Sequence, residues 1–397
     1  MLSLGFIVNP VSPIAIDGLY IHIPFCSRIC SYCDFVKFLP QASNLESYAS
    51  QVLREWDMLK PSMDVSRLQT LYIGGGTPSI DHGRILEHLV GNIGRQLPMS
   101  QLKEFTVEVN AETLCHDLLT RLLSLGVSRL SFGIQSSFSA ALVNLGRTYP
   151  RIPLSRLDLV FSHPFHVNLD LIFGVPGIPS KVLDSTLSDY LKLPIHHLSA
   201  YELTLTPHHA NFPFLPDEET VIAQTQRIRQ RCEEQGFLAY EVSNFAKTGF
   251  ASIHNQLYWE FGNVLGLGVS AHSSLSTHLS RQTVWTNPSS LKTYETLLGK
   301  RIHPLLQKHP LSRMETEKNY LMASLRRRSG LPLDDYRRRF GKDFVEVFGR
   351  SLQELKTWEV IRWDGKAVSA SESGFLVLNQ IVRKLFQDLD SGVLETH

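Results

Sequence analysis

Six short runs of β-branched and aromatic residues, each followed by a stretch with helical spacing, constrain this chain more than any other feature. They are GLYIHI (18 to 23), TLYI (70 to 73), FTVEV (105 to 109), RLSFGI (129 to 134), VNLDLIF (167 to 173) and HLSAYELTL (197 to 205), most of them stopped by Gly, Pro or Asn. Between them, Leu45, Tyr48, Val52, Trp56 and Leu59 recur at steps of three and four, and so do Leu114, Leu118, Leu122 and Leu125 ahead of Gly126. A further helix is predicted from Asp217, Glu218 and Glu219, acids suited to the positive end of a helix dipole, to Gly236. Strand and helix in alternation imply a parallel sheet, because parallel neighbours need a crossover that a helix supplies. Six to seven such units predict an α/β fold, a closed or partly closed TIM-like barrel. Pro150, Pro153 and Pro164 crowd one crossover, where the helix is less regular.

From about residue 305 the pattern changes. Tyr320, Leu321 and Leu325, then Tyr336, Phe340, Phe344 and Phe348, predict helices, followed by a hairpin at Asp364-Gly365 and a last helix through Leu378, Ile381, Val382 and Leu385. This is a smaller C-terminal α+β, winged-helix-like domain. The expected organisation is a short N-terminal extension over 1–19, the barrel over 20–245, a segment carrying HNQLYW and a connector over 246–304, and the C-terminal domain over 305–397.

The chain of 397 residues carries 39 Lys+Arg against 38 Asp+Glu, so no long-range field draws it to polyanions. Five cysteines, an odd number, do not read as a disulfide framework. No secretory leader pattern and no apolar run of roughly 18 to 20 residues is present, so a reducing cytoplasmic setting is expected.

Three of the five cysteines, Cys26, Cys30 and Cys33, follow the first strand in IHIPFCSRICSYCDF, spaced C-x3-C-x2-C. Three thiolates on one tight loop can hold three irons of a cubane cluster and leave the fourth iron open. A structural zinc site would want four ligands, and no fourth Cys or His stands at finger spacing, although His22 is near. Cys115 and Cys232 are expected to be buried helix residues. The second strand ends in YIGGGTPS, where Gly74, Gly75, Gly76, Thr77 and Pro78 let backbone approach a ligand closely; a plain turn is the alternative. Later strands carry polar residues where burial is expected: Glu108 inside TVEVN, Gln135 ending RLSFGIQ, and Asp170 within VNLDLIF, with Arg147 in LGRT. Buried charges need partners, and four such groups at one barrel mouth suggest a ligand.

The cysteine loop, with Tyr20, HIPFC and the following CDF, resembles the radical S-adenosylmethionine (SAM) signature, in the subgroup of oxygen-independent coproporphyrinogen oxidases (dehydrogenases) and HemW-type heme chaperones. The resemblance runs from about Tyr20 to the final helix. It implies a partial (β/α)6 radical SAM barrel, a [4Fe-4S] cluster on Cys26, Cys30 and Cys33, and SAM chelated through its amino and carboxylate groups at the open iron. It matches Tyr20, Tyr32, Gly75, Gly76, Thr77, Glu108, Gln135, Arg147 and Asp170 to SAM contacts, Glu108 to ribose hydroxyls, Arg147 and Asp170 to the methionine and ribose parts.

His254-Asn255-Gln256-Leu257-Tyr258-Trp259 resembles the HNxxYW motif of the HemW-type proteins. Imidazole is a competent axial ligand for heme iron, so His254 is the expected heme contact; a structural histidine packed by aromatics is the alternative. The decarboxylating enzymes continue C-x3-C-x2-C-x-C, whereas Phe35 stands two residues after Cys33 here. The resemblance therefore implies heme, the cluster and SAM as ligands, and delivery of heme to recipient proteins rather than decarboxylation. It is compatible with a homodimer and with peripheral contact with membrane proteins. Arg326 to Arg328 and Arg337 to Arg339 read as solvated helix faces, and nucleic acid is not an expected partner.

Overall fold

The computed structural model describes residues 12–147, 153–304 and 307–394. The strands in chain order begin with β1 (Ile14–Ala15), β2 (Gly18–Ile23), β3 (Met63–Asp64), β4 (Thr70–Gly75), β5 (Glu104–Val109), β6 (Arg129–Gln135), β7 (His166–Phe173) and β8 (His197–Glu202). Then come β9 (Leu238–Ala239), β10 (Asn244–Ala246), β11 (Val264–Leu267), β12 (His272–His278), β13 (Arg281–Thr286) and β14 (Gln307–Pro310). The C-terminal strands are β15 (Leu331–Pro332), β16 (Ile361–Trp363) and β17 (Ala367–Ala370). Helices α1 (Ala42–Leu59), α2 (Arg84–Ile93), α3 (His116–Ser124), α4 (Ser139–Asn144), α5 (Asp158–Phe161), α6 (Ser180–Leu191), α7 (Glu218–Glu234), α8 (Ile253–Trp259) and α9 (Leu291–Gly299) alternate with the large sheet. The last group is α10 (Arg313–Leu325), α11 (Leu333–Phe340), α12 (Phe344–Thr357), α13 (Glu372–Leu376) and α14 (Leu378–Leu394).

One sheet runs in the order β14-β13-β12-β11-β2-β4-β5-β6-β7-β8-β10-β9, parallel from β11 to β8 and antiparallel at both flanks. Each of the six expected strands is present. The segment 246–304 is more than the connector its composition suggested. It returns β11 to the sheet, parallel to β2 with Leu265 opposite Leu19, and extends the sheet with β12 and β13. The Pro-crowded crossover is reduced to a turn of 3-10 helix over Leu154–Leu157 and the single turn α5; residues 148–152 lie outside the described ones.

Strand alternation sorts side chains into two layers. Leu19, Ile21, Leu71, Ile73, Phe105, Val107, Leu130, Phe132, Leu169 and Leu171 are buried in one core with Tyr48, Val52 and Trp56 of α1 and Leu118 and Leu122 of α3. The alternate positions Tyr20, Tyr72, Glu108, Ser131, Asn168, Asp170, His197 and Ser199 hydrogen-bond or stack on one another, with the charge of buried Arg129 among them, and make a polar barrel interior. Each fully buried aliphatic in the outer layer contributes about 1.5–3 kcal/mol, so the apolar layer bears the stability and leaves the inner one available for chemistry.

α10, β15, α11, α12, β16 and β17 follow one another in winged-helix order around a second core. α10 starts with a Ser312/Glu315 capping box and α12 with Asp343 as N-cap. The first arginine run is not the solvated face its composition suggested, whereas Arg337 and Arg338 of the second run are exposed as expected. Arg327 pairs with Glu260, Arg328 with Glu372, Arg337 with Asp343 and Arg339 with Asp335, while Arg326 lies 4.7 Å above the Trp259 ring. The first run thus fastens the C-terminal unit to the barrel. Cys232 is buried as expected, but Cys115 is half-buried and precedes α3 as its N-cap residue. Among the described residues, no helix is long and apolar enough to cross a membrane.

Candidate functional site

β2 ends at Ile23, and the chain enters the loop that carries Cys26, Cys30 and Cys33. A parallel bridge between Phe25 and Phe38 closes this loop, with the Cys26 N–H donating to Phe38 O at 3.0 Å and the Phe38 N–H to Pro24 O at 2.7 Å. Phe25 is buried edge-on against Tyr48, so the base of the loop is anchored in the core while the three thiols stay half-buried. The glycine run on β4 passes directly behind it. The Gly76 N–H donates to Ile23 O at 2.8 Å and the Thr77 N–H to Phe25 O at 2.7 Å. A Cβ at Gly76 would stand 2.6 Å from Phe25 O and 2.9 Å from Cys26 Sγ, and Gly75 adopts φ +116°. The run is therefore glycine because two strand ends meet there with no room for side chains.

These two segments form one wall of a cavity of about 400 Å³ at the C-terminal ends of the parallel strands. Tyr32, Cys33, Gly75, Gly76, Thr77, Glu108, Gln135, Arg147 and Asp170 all line it. Glu108 accepts the Gly75 N–H at 2.9 Å and the Tyr72 hydroxyl at 2.8 Å, yet burial pushes its carboxyl up to about 7. Burial also raises Asp170, opposed chiefly by hydrogen bonds from Asn168 and Ser199 and by the charge of Arg129 and Arg147. Arg147 Nη1 donates to Gly133 O at 2.6 Å. Gln135 sits at a register shift with φ +69°, and its Oε1 is buried without a hydrogen-bond partner among the described residues. Such an orphaned acceptor is costly unless a ligand satisfies it.

The donor set fits a cluster and SAM. No three His, Cys, Asp or Glu side chains among the described residues converge on a single metal-ion position, as zinc would require. A cubane takes one thiolate per iron and asks only that the sulfurs border one space. Cys33 lines the cavity, and Cys26 stands behind Gly76 within electrostatic range of both Cys30 and Cys33. Beyond the thiols lie two buried carboxylates, an arginine, an unsatisfied amide oxygen and the glycine backbone, a set suited to ribose hydroxyls and to an amino acid end.

Residues 20–189 match the model of the Radical SAM superfamily, and residues 311–377 that of the HemN C-terminal domain. The heme chaperone HemW of Lactococcus lactis is 30% identical over 381 residues, 94% of this chain and 98% of the relative. The chain belongs to the HemW family of radical SAM proteins. A second relative, the mouse protein named radical S-adenosyl methionine domain-containing protein 1, mitochondrial, is 29% identical over 98% of this chain and 92% of its own. The coproporphyrinogen III oxidase HemN of Escherichia coli shares the fold, with a TM-score of 0.78 over 97% of this chain and 92% of that one at 19% identity.

Two residues expected at the site of this HemW-family chain lie outside the cavity lining. Tyr20 is one layer deeper: its hydroxyl bonds His22 Nδ1 at 2.8 Å and its ring lies 5.9 Å from that of Tyr72, which in turn bonds Glu108. His254 is at the opposite end of the barrel. It is buried, its Nδ1 bonds the Thr70 hydroxyl at 2.8 Å, its Nε2 faces the Tyr258 hydroxyl at 3.5 Å, and burial lowers its pKa to about 4. Thr70 opens β4, so His254 stands at the end of the strands away from the cavity, with Nδ1 on Thr70 and Nε2 toward Tyr258. In HNQLYW, His254 and Tyr258 close that floor, while Trp259 packs on the C-terminal core.

Sequence reading missed Asn110, whose Nδ2 donates to Thr77 Oγ1 at 3.0 Å, Tyr72 and Asn168, which donate to Glu108 and Asp170, and His197, which bonds Asn168. The signal was available in the alternation. Each sits two residues from a residue already singled out, or at the matching register on the next strand.

Proposed function

We propose that this chain is a heme chaperone that holds a [4Fe-4S] cluster on Cys26, Cys30 and Cys33, binds SAM in the adjoining cavity, and delivers heme to recipient proteins in the cytoplasm. The carrying observation is the single cavity that collects Cys33, Gly75, Glu108, Gln135, Arg147 and Asp170 beside a loop with Phe35 where the decarboxylating enzymes have a further cysteine. Relatives named heme chaperones align with nearly the whole chain. Glu108 and Asp170 would accept ribose hydroxyls, Gln135 Oε1 a donor of the ligand, and Arg147 a carboxylate. A bound cluster supplies an open iron for the amino and carboxylate groups of SAM and a one-electron donor beside its sulfonium. The chain's own part is to place the ligand, hold it through the two carboxylates and keep water from it.

A second reading is a coproporphyrinogen III dehydrogenase, favoured by the fold shared with the Escherichia coli oxidase. Anaerobic reconstitution with iron and sulfide followed by heme titration separates the two. Saturable heme binding without turnover of coproporphyrinogen III supports the chaperone; turnover above a Cys30→Ala control replaces it with the enzyme.

A further inference from the structure

We propose that heme docks across the cavity mouth, with His208 as the axial ligand to its iron; the inference rests on the heme chaperone reading. Large apolar side chains are exposed on three segments that meet beside the cavity: Ile29 and Phe35 on the cysteine loop, Val143 on α4, and Phe212 and Phe214 in the loop that follows β8; of these, Phe35 lines the cavity itself. Phe35 and Phe214 are 68% and 69% exposed. Exposed aromatics gathered beside a cavity mark a surface that a flat apolar ligand covers.

The loop after β8 is built to present this surface. Leu203 and Thr204 line the cavity, and the chain then turns through backbone bonds from His209 N–H to Thr206 O (2.9 Å), Phe212 N–H to His209 O (2.9 Å) and Phe214 N–H to Asn211 O (3.1 Å). Asn211 Nδ2 donates to Asn144 O at 3.2 Å, at the end of α4. Two residues on, Gly146 abuts Ser31 of the cysteine loop, so the three segments meet at one rim.

The two histidines in this loop are not equivalent. His209 Nδ1 accepts the Asn211 N–H at 3.0 Å, which places the proton of the neutral ring on Nε2 and leaves no lone pair to offer. His208 is exposed and makes no hydrogen bond among the described residues, so its imidazole can turn a lone pair toward iron. His22 and His254 have both nitrogens engaged. A macrocycle held by His208 and the phenylalanine rim leaves its other face outward for a recipient protein.

The test is an absorbance titration of the anaerobically reconstituted full chain with heme, comparing wild type, His208→Ala, His209→Ala and Phe214→Ala. His208→Ala is expected to bind about tenfold more weakly or worse and to lose the imidazole-ligated spectrum. Added imidazole should restore that spectrum in His208→Gly. His209→Ala should keep it, and Phe214→Ala should weaken binding without changing it. A His208→Ala variant with wild-type affinity and spectrum overturns the docking site and leaves the chaperone reading standing. Absence of saturable heme binding in wild type overturns both.

Discussion

The backbone N–H of His254 donates to the Glu104 carboxylate at 3.2 Å, tying the first turn of α8 to the first residue of β5. The same carboxylate accepts the Ile253 N–H at 2.8 Å and the Ser252 hydroxyl at 3.1 Å, and it stands within electrostatic reach of the buried Arg129 guanidinium. Glu104 is therefore what seats the HNQLYW helix in the barrel floor. Glu104→Ala should cost about 3–5 kcal/mol, because it removes the foremost negative charge facing the buried Arg129 and leaves the Ile253 and His254 N–H groups without their acceptor. Glu104→Gln, which still accepts, should cost less. Urea denaturation measures both, and an alanine variant as stable as wild type would remove this role.

Gly76→Ala drives a methyl into Phe25 O and Cys26 Sγ. The strand end and the cysteine loop must separate, so cluster incorporation should fall severalfold while the fold persists. Iron and sulfide counts per chain after reconstitution report this; wild-type counts would show that the close approach is not needed.

Asp170 is oriented by a directed chain. The Tyr240 hydroxyl lies 2.9 Å from His197 Nε2, His197 Nδ1 lies 2.6 Å from Asn168 Oδ1, and Asn168 Nδ2 donates to Asp170 Oδ1 at 2.8 Å. Burial keeps His197 neutral, so with Nδ1–H donating to Asn168, Nε2 accepts from Tyr240. Asn168→Ala removes a bond to a carboxylate worth about 1.5–3 kcal/mol and should weaken S-adenosylhomocysteine binding by roughly 10- to 100-fold. Calorimetry on the reconstituted chain checks it, and unchanged affinity would make Asn168 a packing residue only.

Glu55 of α1 is fully buried, accepting the Tyr294 hydroxyl (2.6 Å), Asn287 Nδ2 (2.7 Å) and the Gly268 N–H (2.8 Å), with His303 Nε2 at 3.7 Å. Burial outweighs these bonds and lifts its carboxyl from 4.5 to about 7. A carboxyl raised on folding stabilises the fold fully below its unfolded pKa, and that contribution is lost as pH rises through the folded value. Wild type should thus lose stability relative to Glu55→Gln between about pH 4.5 and 7, by on the order of 3 kcal/mol across the window. Parallel denaturation curves at several pH values read the difference; a constant gap between the two proteins would contradict it.

Much of the fold was legible because strand and helix periods are local properties. The runs from GLYIHI to HLSAYELTL are strands, and Asp217 caps α7 through the Thr220 N–H, where the acidic start was expected. β11 was missed because Val264–Leu267 is a short run whose meaning depends on pairing with β2 across more than two hundred residues. Cys115 was expected in a helix interior, but the chain turns there and α3 starts one residue later.

The sequence by itself determined that three thiols share one loop, that glycines follow the next strand, and that acids interrupt apolar strands, since spacing and alternation are written along the chain. Which of these groups share a space is another matter, because that depends on which end of each strand a residue occupies once the strands are in register. Glu108, Gln135, Arg147 and Asp170 come to the cysteine end and line one cavity. His254 goes to the other end, where Thr70, Glu104 and Tyr258 occupy its polar atoms. A motif can mark a residue as polar and constrained, but only packing decides whether its lone pairs face a ligand or a neighbour, because a buried nitrogen already hydrogen-bonded has none left to give.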